Sequence, residues 1–146
     1  MPFSGAGHDW AAVELGAWLA RSGACALQLA GASTGAGGRD ASRLLANASL
    51  AVQRVLGIAA EPVIVEPAPE ALVAVARSAG VVVVGLTDRW RATGLGRTRT
   101  ALAVEPEVAT VLVRRGLRPG GLAPPDDGTR FTWTIAPVAG SSAAVR

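Results

Sequence analysis

The 146-residue sequence contains no lysine and no tyrosine, one histidine, one cysteine and only six aromatic residues. Each shortage excludes something. A P-loop needs a lysine that reaches the phosphates, and Schiff-base chemistry needs a lysine amine. His8 and Cys25 alone make neither a His/Cys zinc site nor a disulfide framework. A lone cysteine fits a reducing compartment. The first fifteen residues hold Gly5, Gly7, His8, Asp9 and Glu14 and no apolar stretch of the secretory kind. The longest apolar run, Ala71–Leu86, is broken by Arg77, Ser78 and Gly80, short of the roughly 20 residues a span requires. The expectation is a cytoplasmic chain that does not itself enter a membrane. All 14 basic residues are arginine and the net charge is +3, so the pI near 10.9 reflects the missing lysine and tyrosine more than a basic surface. A nucleic-acid interface wants arginines on one face with stacking aromatics between them, and the aromatics are too few; no nucleic-acid partner is expected.

Half of the residues are apolar, enough for one core that buries roughly 70% of the unfolded surface. The apolar pattern changes period along the chain. Ala11, Leu15, Trp18 and Leu19 fall at helical spacing and predict an amphipathic helix over His8–Ser22, with His8 or Asp9 as cap and Gly23 at its stop. Cys25–Ala30 reads as a short strand, with Cys25 as a small core residue. After the small-residue cluster Gly31–Gly38, Asp40 and Ser42 open a helix running through Leu44, Leu45, Leu50, Val52 and Val55 to Gly57. Pro62–Glu66 is a third apolar run, and Glu70–Ser78 a further helix behind Pro67 and Pro69. Four valines between Gly80 and Gly85 predict a strand buried on both faces, which a parallel sheet provides. Ala109–Val113 predicts a last buried strand.

Strands alternating with helices predict βαβ units. The expected fold is α/β, a flavodoxin-like or Rossmann-like, five-stranded, mostly parallel sheet with helices on both faces. Only Met1–Phe3 precede the first helix's loop, too few for a full central strand, so a fragment of a longer protein is expected. Residues 1–116 form the α/β domain in this reading. Residues 117–146 form a Gly/Pro-rich tail with a short strand at 130–135, where Phe131, Trp133 and Ile135 alternate with threonines.

Ligands of open parallel sheets bind beyond the carboxyl ends of the strands. Two segments are expected to meet there. The first is Ser4–Asp9, with Ser4, Gly5 and His8 as candidate contacts. The second is Leu86–Thr98, read with its neighbours Gly85 and Arg99. It offers Asp88, Arg89, Gly94, Gly96, Arg97, Thr98 and Arg99. Glycines let backbone N–H groups approach an anion, a helix N-terminus adds partial positive charge, and arginine forks onto phosphate. The same arginines can instead pair with Asp88, Glu105 or Glu107. Trp90, between Arg89 and Arg91, suits a lid, a base-stacking surface or a docking contact.

The run from Gly80 to Gly116 resembles the last third of a universal stress protein domain. In that family the same corner holds ATP or a related nucleotide around three spaced glycines. Gly85 matches the first; Asp88 stands at the second and Thr98, followed by Arg99, at the third. The strings PFSGAGHDWAAVELGAWLA, GLTDRWRATGLGRTR and LVRRGLRPGGLAP, with TRFTW, are similar to the cytosolic C-terminal domain of actinobacterial cation/proton (sodium/hydrogen) antiporters. This resemblance covers Pro2 to about Trp133. It implies a regulatory or assembly domain at the cytosolic face of the plasma membrane. The implied partners are the transmembrane antiporter domain of the same polypeptide and a second copy, in a homodimer. The candidate ligand is ATP or another adenine nucleotide. The alternative is a stand-alone universal stress protein, or a dimerisation module that has lost nucleotide binding, which Asp88 in a glycine's place favours. A nucleotide hydrolase would need a metal-binding carboxylate cluster or a phosphate lysine. The residues offer neither, so no enzyme activity, catalytic residue or metal is expected.

Overall fold

The four-valine run is a parallel strand with helices against both of its faces. The computed structural model describes residues 1–33, 39–117 and 120–122. In chain order these form α1 (Gly7–Gly23), β1 (Leu27–Ala32), α2 (Arg39–Leu56), β2 (Ala60–Val65), α3 (Pro69–Ala76), β3 (Val81–Leu86), α4 (Trp90–Thr93), α5 (Arg97–Val104) and β4 (Ala109–Arg114). The alternation of helix and parallel strand is the expected α/β arrangement. The four strands, however, lie in two two-stranded sheets, β1–β2 and β3–β4, and not in one five-stranded sheet.

Both pairs are parallel, with Leu27 opposite Ala60 and Val81 opposite Ala109 at their starts. Pro62, which cannot donate to a ladder, sits in β2, whose only strand partner among the described residues is β1. Met1–Phe3 extend the first sheet by a single parallel bridge, Pro2 opposite Ala30. Its ladder runs from Met1 N to Gln28 O at 2.9 Å, Ala30 N to Met1 O at 2.7 Å and Phe3 N to Ala30 O at 2.8 Å.

Each sheet has its own apolar cluster. Phe3, Val13, Ala17, Leu29, Leu45 and Val52 centre the first, and Leu122 packs into it. Val73, Val82, Val84 and Leu102 centre the second, between β3, α3 and α5. Side chains alternate across a strand, so Val83 and Gly85 face the opposite side from Val82 and Val84. That opposite side receives α1, which contacts β3 and β4 as well as β1.

Several expectations need correcting. The core-facing side of α1 is Ala12, Val13, Gly16, Ala17 and Ala20, while Trp18 is 54% exposed and Leu19 is also exposed. Small residues let the helix lie close to two sheets, and the large side chains at neighbouring positions are left on the rim. The α1 cap is Ala6, with no side-chain cap bond, and the left-handed residue after the helix is Ala24, not Gly23. Cys25 is exposed and precedes β1, so it is no core residue. On β4, Leu112 is exposed and no residue is buried, and among the described residues its only strand partner is β3, so it is not the buried strand expected. The segment 130–135 lies outside the described residues. Among the described residues no helix is long and apolar enough to cross a membrane.

Candidate functional site

Beyond the carboxyl end of β3, the first turn of α1 and the first turn of α5 come together. Gly85 is the reason they can. A Cβ at Gly85 would run into the carbonyl oxygen of His8 and lie 3.1 Å from the amide nitrogen of Asp9. Only a residue without a side chain lets α1 start this close to the strand. The Gly85 carbonyl accepts a hydrogen bond from Arg99 Nε at 2.7 Å, and Arg99 Nη2 donates to His8 Nε2 at 2.9 Å. One planar guanidinium thereby ties β3, α5 and α1. Because a guanidinium only donates, His8 Nε2 is the acceptor of that bond.

The loop leading into α1 is held separately. Asp9 is 5% exposed and its Oδ2 accepts from Ser4 N at 2.8 Å and Ser4 Oγ at 2.6 Å. These bonds satisfy a buried carboxylate that would otherwise carry a large desolvation cost. Asp9 Oδ1 also lies 3.3 Å from His8 Nε2. By sequence Asp9 is a candidate helix cap. Its position inside the first turn, one residue after His8, aims it back at Ser4 instead. The serine hydroxyl donates to Asp9 and the imidazole receives Arg99, so Ser4, Asp9 and His8 organise the loop. They do not form a nucleophile-to-histidine relay.

The remaining predicted residues surround this knot without entering it. Asp88 is exposed and pairs with Arg115 Nη2 at 3.4 Å. Arg115 also lies 2.9 Å from where a Cβ on Gly7 would stand, so it closes over the start of α1. Arg97 reaches across to Glu70 of α3 at 3.1 Å, both side chains being largely exposed. Glu70 and Arg115 are the partners that residue patterns did not single out. They lie 27 residues from Arg97 and Asp88, and only the fold brings them in. Arg89 is exposed; Arg91 lies over the Trp90 ring at 5.5 Å from its centroid. Gly94 and Gly96 both take positive φ, 73° and 76°, with open space where a Cβ would be. They shape the turn from α4 into α5, with Gly96 as the α5 cap. Thr98 lies half-buried in the first turn of α5. Gly5 meets Leu44 of α2, on the inner side of the same loop.

The structure thus brings Ser4, His8, Gly85 and Arg99 together. It leaves Arg89, Gly94 and Gly96 at the rim and commits Asp88 and Arg97 to ion pairs. Chemically the corner offers the forked cation of Arg99 next to the His8 imidazole, the exposed cation of Arg89 and the N–H groups opening α5. No family model, curated protein or solved structure matches this chain.

Proposed function

We propose that this chain is a universal stress protein-like regulatory and assembly domain, serving a cation/proton antiporter at the cytosolic face of the plasma membrane and responding to a small anion. In this reading the two sheets are halves of one five-stranded, flavodoxin-like sheet with Met1–Phe3 at its centre. The parallel Pro2–Ala30 bridge and the seating of α1 across β3 and β4 support that arrangement. The ligand is ATP or another adenine nucleotide. The observation that carries the reading is the knot of Gly85, Arg99 and His8, because it joins the two segments from which ligand corners of this fold are built. Phosphate oxygens would be met by Arg89, by Arg97 once released from Glu70, and by the amides of residues 96–98.

Melting the protein with ATP, ADP, AMP and cyclic dinucleotides tests this. A ligand at 100 times its Kd raises stability by about 2.7 kcal/mol, a readily measured shift. An unchanged melting temperature with all four would remove the ligand from the account.

A second reading is a structural homodimerisation module that no longer binds nucleotide. The pairing of Asp88 with Arg115 and of Arg97 with Glu70 favours it, since two charges at the corner are already neutralised within the domain. Its signature is a concentration-dependent dimer in sedimentation that nucleotides do not alter.

A further inference from the structure

The carboxyl ends of β3 and β4 carry a group of arginines outside the His8–Arg99 knot. Arg89, Arg91 and Arg97 stand on the loop and helices that follow β3, and Arg114 closes β4 opposite Leu86. All four are exposed. The two carboxylates bonded into this group, Asp88 and Glu70, are matched by Arg115 and Arg97. Arg89, Arg91 and Arg114 add positive charge beyond these pairs, all of it facing solvent.

Trp90 decides what this charge is suited to meet. It opens α4, is half-buried, and belongs to neither of the two apolar clusters. An indole carries a large apolar surface with one polar handle, and it serves cores or interfaces. The Arg91 guanidinium carbon lies 5.5 Å from the Trp90 ring centroid, so ring and cation share one side of the loop. Small residues flank them: Ala92 is exposed, and Gly94 and Gly96 have open space where a Cβ would stand. A tryptophan among exposed arginines fits the headgroup layer of an anionic bilayer. There the amphipathic ring sits at the water boundary, and guanidinium groups fork onto lipid phosphates. Nucleic acid fits less well, since it wants several stacking rings and this loop offers one.

We infer that Trp90 and Arg91, with Arg89 and Arg114, dock this end of the domain on the surface of an anionic phospholipid bilayer. The contact is peripheral, with the ring at headgroup depth and the arginines against the phosphates. It needs no nucleotide. Trp90, Arg91 and Arg114 take no part in the phosphate contacts proposed above, so the two ideas stand or fall separately.

The test is co-sedimentation of the full chain, without nucleotide, with vesicles of mixed phosphatidylcholine and phosphatidylserine and with vesicles of phosphatidylcholine alone. Binding is expected on the anionic vesicles only, and it should fall as salt is raised. A basic residue near an anionic surface contributes about fivefold to partitioning. Arg91→Ala should therefore weaken binding about fivefold, and Arg91→Ala combined with Arg114→Ala about twenty-five-fold. Both side chains are exposed, so an unchanged melting temperature verifies that the variants fold. Brominated lipid should quench part of the wild-type tryptophan emission and none of it in Trp90→Phe. No sedimentation with anionic vesicles, or equal binding to neutral ones, would overturn the inference. So would undiminished binding of the double variant, or quenching that persists in Trp90→Phe. Release by glycerol 3-phosphate at constant ionic strength would overturn it in favour of a soluble anion. Binding to polyglutamate and not to vesicles would overturn it in favour of an acidic protein.

Discussion

Arg99 donates to His8 Nε2 at 2.9 Å across 91 residues of sequence, and the same guanidinium donates to the Gly85 carbonyl at 2.7 Å. The contact fixes the first turn of α1 against the end of β3. It is a polar link between α1, β3 and α5. Replacing Arg99 with alanine leaves the Gly85 carbonyl without this donor, and it should lower stability by about 1–3 kcal/mol in chemical denaturation. Lysine should not restore it, because a single ammonium cannot reach both acceptors in the fork geometry. Full recovery with Arg99→Lys would contradict the bridging role.

Gly85 makes the steric half of the same contact. Gly85→Ala drives a Cβ into the His8 carbonyl, and backbone has nowhere to yield without moving α1. A loss of about 1–3 kcal/mol is expected. Gly80→Ala, where a Cβ meets open space and φ is ordinary, provides the control and should change stability by less than about 0.5 kcal/mol. Thermal melts of the two variants distinguish steric exclusion from a general effect of adding alanine to β3 and its flank.

Asp9 and Ser4 form the third element of the corner. Asp9→Ala leaves the Ser4 amide and hydroxyl without their shared acceptor and should cost about 2–3 kcal/mol. Ser4→Ala removes one of the two bonds and should cost about 1 kcal/mol. Equal losses in urea denaturation would show that the hydroxyl, and not the buried carboxylate, dominates.

How much of this was legible follows the strength of local signals. Four adjacent valines and the loops around them place β3, and the helix–strand alternation through α3 follows from periodicity and proline punctuation. The buried face of α1 is not legible in the sequence because its stripe is mostly glycine and alanine, which carry little hydrophobic signal beside Trp18 and Leu19. α5 was hidden because its first half, Arg97–Thr100, is polar throughout and only Leu102 is buried. β4 looks buried by composition, yet with β3 as its only strand partner among the described residues it is half open. The expected strand order brings the segments 4–9 and 85–99 to one corner, and His8, Gly85 and Arg99 do meet there. The ion pairs are not legible, since Glu70 and Arg115 meet their partners only through tertiary packing.

The Met1 amine gives a pH dependence with a definite sign. Its folded pKa, about 6, lies below the ordinary 8.0, so the unfolded chain binds the proton more tightly. Between pH 6 and 8 stability should therefore rise with pH. The gain is complete above 8 and absent below 6, and is at most about 2–3 kcal/mol, less with partial solvent access. Acetylating the amine should remove that slope from a series of denaturation curves, and an unchanged slope would contradict burial of the charge.

The response to a small anion is the central claim, and titration calorimetry of the full chain with ATP tests it most directly. The account predicts a saturable heat that weakens in Arg97→Ala, whose side chain is largely exposed and can be removed without disturbing the Arg99–His8 knot. No heat with ATP, ADP, AMP or cyclic dinucleotides would contradict it and leave the assembly role alone.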